Sequence, residues 1–132
     1  MTGYAIVLAS GKLERLQAVA NIAAVAGASD VPVDIFATMD GLEAFDVETI
    51  ENGDFEMGAI AEAMMNSEST KMPMFYESIG QAKEIGPVSV YACELSMDML
   101  GKDLYQYANL FDDVLGVSGF LTMAEDKQVL FV

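Results

Sequence analysis

The chain of 132 residues has no histidine, no tryptophan, one cysteine, three prolines and one arginine. Each scarcity removes a class of chemistry. Without histidine, neither a Cys/His zinc site nor a Cys-His or Ser-His catalytic pair can be assembled within one chain. The lone cysteine, Cys93, cannot close an internal disulfide. Six cationic residues stand against 21 acidic ones, and the resulting formal charge of −15 repels phosphate backbones and anionic bilayer surfaces, so nucleic acid is not an expected partner. Long apolar runs are missing as well: stretches such as residues 22–28 fall far short of the roughly 20 residues that a membrane span requires. The opening Met1-Thr2-Gly3-Tyr4-Ala5-Ile6-Val7-Leu8 lacks the basic region and long apolar segment of a signal peptide. It reads as the first strand of a cytoplasmic protein.

Apolar residues are abundant, at 53% of the chain. A length of 132 residues suits one domain with one core. So small a domain has too much surface to hide that much apolar material, which points to contacts between subunits.

The pattern along the chain alternates short apolar runs with helical spacing. Residues 4–9 form a continuous apolar run of strand length, and Ser10-Gly11 turns the chain. Residues 12–28 follow as a helix whose second half is dominated by small side chains, suited to close packing. Residues 31–38 predict a second strand, and residues 39–48 a solvated acidic loop. A carboxylate metal loop from Asp40, Glu43, Asp46 and Glu48 is conceivable, but Gly41 falls at the wrong place for an EF-hand. Asn52-Gly53-Asp54 marks a turn, residues 55–65 a helix with Met57, Ile60, Ala61 and Met64 on one face, and residues 66–71 the most polar loop. The methionines at 57, 64, 65, 72 and 74 suit an adaptable core or, alternatively, a flap or subunit contact over the cysteine. Residues 74–85 predict a helix with Phe75, Ile79, Ala82 and Ile85 on one side, stopped by Gly86-Pro87. Residues 102–111 suggest a further helical turn or two, 114–117 a short strand, 119–124 a short helix and 128–132 a last strand. The alternation predicts a single α/β domain with a mainly parallel, open sheet and helices on both faces.

Cys93 occupies the most informative position. Residues 88–92 are a buried strand that runs without a turn residue into a short helix ending at Gly101. A thiol at that junction meets unpaired backbone N–H groups and the positive end of a helix, both favouring thiolate. A lone cysteine is equally well a small buried hydrophobe. Ser10-Gly11-Lys12 superficially suggests a phosphate loop, but the remaining Walker spacing is absent. In the strand order of flavodoxin, the first and third strands are neighbours. Lys12 would then be the nearest cation to the sulfur, the other possibility being an ordinary exposed lysine at a helix start.

With Cys93 and the following Glu94-Leu95-Ser96-Met97-Asp98-Met99-Leu100-Gly101 in view, the chain resembles the DsrE/DsrF-like sulfur-relay family, in the branch where the cysteine precedes a Ser-Met-Asp-x-x-Gly pattern. The resemblance extends over the first strand with Ser10-Gly11, the Ala-rich first helix, the Met-rich middle, Ala82-Lys83-Glu84-Ile85-Gly86 and Gly116-Val117-Ser118-Gly119-Phe120-Leu121. It implies a flavodoxin-like fold, assembly into a homotrimer or homohexamer, and a cysteine that carries sulfur as a persulfide or thiosulfonate. The cargo would pass between donor and acceptor proteins or small thiols, without a cofactor. The chain departs from better-known members in having no second cysteine and no histidine. Glu94 also opposes thiolate formation by like charge.

Three functions follow as expectations. The first is a sulfur carrier acting through Cys93, with Ser10, Gly11, Lys12, Glu94 and Ser96 as accompanying binding residues and the Met-rich segment as a shield. The second is a monothiol peroxidase or reductase based on Cys93-x-x-Ser96, although Val90 stands where a peroxiredoxin would need threonine. The third is a non-enzymatic assembly module in which Cys93 is simply packed.

Overall fold

A computed structural model describes residues 2–67 and 72–132. Its centre is a five-stranded parallel sheet of β1 (Tyr4–Leu8), β2 (Val33–Ala37), β3 (Val88–Cys93), β4 (Asp113–Leu115) and β5 (Gln128–Phe131). The helices are α1 (Leu13–Ala28), α2 (Met39–Glu43), α3 (Val47–Asn52), α4 (Ala59–Asn66), α5 (Phe75–Ile85), α6 (Glu94–Leu100) and α7 (Val117–Met123). This is the layered α/β architecture of flavodoxin-like folds that the alternating pattern predicts.

Side chains alternate across the sheet as the pleat requires. Ile6, Leu8, Val33, Ile35, Val90 and Ala92 face one side, where they pack with α1 and α5 in the main core. Ala5, Phe36 and Cys93 face the other, in a smaller cluster with Phe120 of α7 and Ala124 just after it. The rings of Phe36 and Phe120 stack with centroids 4.7 Å apart. At the carboxyl end of the sheet, Phe45 meets Phe75 edge-to-face at 5.1 Å, and Phe55 and Phe111 close around that pair.

The strand order is β4-β3-β2-β1-β5. It corrects the expectation that the first and third strands are neighbours, because β2 lies between them. The burial of β2 accords with that place: Val33, Ile35 and Ala37 are buried on one face and Phe36 on the other, which suits an interior strand covered on both sides rather than an edge. The connection from β4 to β5 must then cross the whole sheet from one edge to the other. α7 lies on that crossing and covers the second face.

Five local expectations also change. The acidic segment 39–48 is not an open loop: it holds α2 and the start of α3, where the Asp46 carboxylate accepts the N–H groups of Glu48 and Thr49 at 2.9 and 3.3 Å and Gly53 closes the helix at φ +61°. Residues 102–111 contain only one 3-10 turn, Leu104–Gln106. α4 begins at Ala59, and its Ile60 points outward while Ala61 is buried. Ile85, expected on the inner face of α5, is exposed. Of the polar loop expected at 66–71, residues 68–71 lie outside the described residues, and Asn66 ends α4.

The small residues late in α1 do bring backbones together. A Cβ on Gly86 would stand 2.3 Å from the carbonyl oxygen of Gly27, so the end of α5 closes on the end of α1 with no room for a methyl group. Gly86→Ala should cost about 1–3 kcal/mol by overpacking, whereas Gly116→Ala, with open space at its Cβ, meets no clash and should lose only the N-cap preference at the start of α7, about 0.5 kcal/mol. Urea unfolding of the two variants beside wild type checks the contrast; equal losses would refute it.

Candidate functional site

Parallel register builds the surroundings of Cys93. β2 and β3 pair Phe36 with Tyr91 and Ala37 with Ala92, so the next residues, Thr38 and Cys93, stand side by side on the face covered by α7. Cys93 is also the residue at which strand becomes helix, with α6 starting at Glu94. Three residues on, Ser96 returns toward the same point, as helical spacing requires. Its Oγ lies 3.3 Å from Thr38 Oγ1 and accepts the N–H of Met39 at 3.0 Å. Met39 holds that position with φ +53°, a left-handed conformation uncommon for a residue with a side chain.

Burial raises the pKa of the Cys93 thiol. The polar surroundings, the Ser96 and Thr38 hydroxyls first and then the N–H groups of Ser96 and Leu95, act the other way and outweigh burial, so the net value falls below the ordinary 9.0, although the sulfur does not cap α6 with a side-chain hydrogen bond. The thiol is only 1% exposed. Glu94, the neighbour whose charge opposes ionisation, is exposed, where solvent screens it. Beside Ser96 a cavity of about 260 Å³ opens between α2 and α6, lined by Met39, Asp40, Glu43, Met99 and Leu100.

The other residues singled out in the sequence are elsewhere. Ser10, Gly11 and Lys12 follow β1 and are separated from Cys93 by β2. The N–H of Ser10 donates to Val132 O at 3.2 Å and that of Lys12 to Ser10 Oγ at 3.1 Å, and Gly11 abuts Asp40. Lys12 lies near Glu14 and Gly58, so the cation proposed for the thiolate is not beside it. The Met-rich segment is not a cover for Cys93 either. Ala61 of α4 packs into the main core, and the N–H groups of Gly58 and Ala61 donate to the Glu14 carboxylate on α1 at 3.0 and 3.3 Å, on the opposite side of the sheet. The cover over the sulfur is α7. Among the described residues no group of three potential metal ligands comes together, so the acidic residues 40–48 do not form the conceivable metal loop.

Sequence reasoning missed the network that anchors this edge. Lys102, just after α6, donates to Glu43 and, at 2.9 Å, to Asp46 Oδ2; Tyr107 donates its hydroxyl to Glu43 Oε2 at 2.5 Å. Tyr107 is almost fully buried. Burial, followed by the bond to Glu43, raises its pKa well above the ordinary 10.0. Burial also acts to raise the pKa of Asp46, but the bonds from Lys102, Thr49 and Glu48 win and hold it below 3.8. These partners are more than fifty positions apart in sequence, and no local pattern announces them. Asp46 alone carried a signal, as an N-cap residue preceding Val47.

No family model matches the chain, and no curated protein matches it in sequence. Among solved structures it is similar to a protein of unknown function from Methanobacterium thermoautotrophicum, with a TM-score of 0.64 and 14% identity over 100% of both chains. That likeness extends the fold to a second sequence and says nothing of activity.

Three substitutions test this geometry. Ser96→Ala removes one donor to the sulfur, so the thiol pKa should rise toward 9.0; the pH dependence of alkylation or of thiolate ultraviolet absorbance measures it, and an unmoved titration would show that the hydroxyl does not act on the thiol. Lys102→Met leaves Glu43 and Asp46 without their cation and should cost about 1–3 kcal/mol in urea unfolding. Because the folded pKa of Asp46 is depressed, its stabilisation is complete above the unfolded value of 3.8 and is lost as pH falls through the lower folded value. Asp46→Asn should therefore flatten the acid limb of the stability curve, and an unchanged limb would assign acid unfolding to other carboxylates.

Proposed function

We propose that this protein is a sulfur carrier in which Cys93 accepts a sulfane sulfur or a thiosulfonate and passes it to a partner protein or small thiol. A homotrimer or homohexamer in the cytoplasm is part of the same reading. The observation that carries it is the place of Cys93, buried where β3 becomes α6 and in register with Thr38, with Ser96 and its bonds to Thr38 and Met39 one helical turn on; the same surroundings hold the thiol below its ordinary pKa despite burial. Such a setting favours the nucleophilic thiolate and equally suits the anionic terminal sulfur of a persulfide. In the exchange, the thiolate attacks the outer sulfur of a donor persulfide. The donor's S–S bond breaks, a new S–S bond forms on Cys93, and the donor leaves as a thiolate that takes up a proton. Transfer onward is the same reaction with the acceptor thiolate as attacker and Cys93 as leaving group.

At 1% exposure, the sulfur is closed to solvent, which protects a persulfide from oxidation. Exchange therefore requires α7, seven residues long and held by Phe120, to shift.

The same burial favours a second reading, an assembly module whose cysteine is packed. Val117, Leu121, Val129 and Phe131 are exposed apolar residues on α7 and β5, a surface suited to contact between copies. The monothiol peroxidase reading has no such support.

Intact-mass spectrometry before and after thiosulfate, tetrathionate or a persulfide donor separates the two, with Cys93→Ser as control. The carrier predicts an added sulfur or thiosulfonate on wild type alone. A thiol that stays unmodified with every donor and also resists iodoacetamide would overturn the carrier and leave the assembly module.

A further inference from the structure

The two edges of the sheet are finished differently. β4 is three residues long and begins at the exposed Asp113, a short and charged edge of the kind that discourages pairing with another chain. β5, at the other edge, has no such protection. Residues 128–132 contain no charge and no proline, and Val129 and Phe131 are 50% and 77% exposed. The N–H groups of Gln128 and Val132 donate to Gly3 and Val7, and the Val132 carbonyl accepts from Ala9 and Ser10, so residues 128, 130 and 132 turn their backbone groups to β1. By alternation, the N–H and C=O groups of Val129 and Phe131 point away from the sheet. Their side chains, in register with Ala5 and Val7, lie on the face of α7, which leaves them bare.

An identical strand satisfies this edge. Set antiparallel about a two-fold axis at Leu130, Val129 of one copy stands opposite the partner's Phe131, and each of the two such pairs exchanges both of its N–H···O bonds. The bare strips of both copies then merge into one apolar strip. Over most of its surface a chain of charge −15 opposes contact with itself. Here it does not. Asp126, the carboxylate that precedes β5, is four positions before the axis, so the two copies of it stand about 27 Å apart at the rise of an extended strand. Screening at 0.1 M salt acts within about 10 Å. A cationic strand of another protein would find no carboxylate along residues 128–132 to recognise it. We infer that β5 pairs antiparallel with β5 of a second copy, Leu130 opposite Leu130, joining the two sheets into one. Such a pair exists in a homodimer, or in a homohexamer built of pairs, and not in a homotrimer. The contact does not depend on whether Cys93 carries sulfur.

The test combines sedimentation velocity with amide hydrogen exchange at residue level, on wild type and on Cys93→Ser, so that thiol chemistry plays no part. The protein should sediment as an even-numbered assembly, and the Val129 and Phe131 amides should exchange as slowly as that of Leu130 although they point away from β1. Val129→Lys with Phe131→Lys, both at exposed positions, should weaken the assembly about a hundred-fold and release those two amides to fast exchange. Leu130 should stay protected in that variant, which shows that the fold is intact. Val117→Lys with Leu121→Lys, on α7, should leave the Val129 and Phe131 amides protected. Fast exchange of those amides within an assembly, a homotrimer, or dissociation by the α7 variant but not by the β5 variant would overturn the proposal. A monomer at every concentration would also overturn it, and would leave the edge to a strand of another protein.

Discussion

The pairing of β2 with β3 is the constraint on which the candidate site depends. Ile35 lies opposite Val90 and Ala37 opposite Ala92, and this register alone brings Thr38 to Cys93. A slip of one residue would turn every side chain of β2 to the other face. β2 is buried on both sides, with Ile35 in the main core and Phe36 stacked on Phe120, so neither orientation but the observed one fills both cores. The position of the hydroxyl beside the sulfur is thus set by apolar packing, and it is held more firmly than a loop could hold it.

A second chain of contacts supports the same point from outside the sheet. Lys102 and Tyr107 hold Glu43 at the end of α2, and Lys102 also holds Asp46 at the start of α3. α2 begins at Met39, whose left-handed backbone presents its N–H to Ser96. Such a conformation costs on the order of 1–3 kcal/mol and persists only where the surroundings over-determine it. The ion pairs on one end of α2 and the Ser96 bond on the other provide that determination. The orientation of Ser96 toward the thiol is therefore coupled to residues with which it shares no sequence proximity.

Much of this was legible in the sequence, for identifiable reasons. The continuous apolar run at 4–9 and the alternating Val88, Val90 and Ala92 named their strands, and Gly101 ended α6 in the left-handed region, φ +63°, as a glycine after a helix does. Cys93 at a strand-to-helix junction and Ser96 one helical turn later were both readable from spacing. Strand order was not: β1 and β3 carry no mark of their neighbours, and only the two-sided burial of β2 decides the matter. Thr38 escaped for the same reason, since its role exists only through the register. The Met-rich segment misled because methionine suits both core and cover, and composition does not say which face of a sheet a segment crosses to. The acidic segment 39–48 was judged by its charge, and its helices were missed although Asp46 and Gly53 bracket α3 with ordinary cap chemistry.

The charge of the chain bears on encounter more than on the fold. Five-stranded parallel sheets do not need 21 carboxylates, and exposed carboxylates contribute little to stability. Their field, however, extends about 10 Å at 0.1 M salt, far enough to reach a solute approaching the α2–α6 edge. On the carrier reading, a persulfide on Cys93 is an anion kept beneath α7. Burial keeps water and oxidants away, while the net charge slows the approach of small anions without closing the site to them. Whatever exchanges sulfur with Cys93 on this reading must displace α7, whose hold on the site is the stacking of Phe120 on Phe36. The missing second cysteine fits this reading, because the attacking thiol for the next step would come with the acceptor, protein or small thiol.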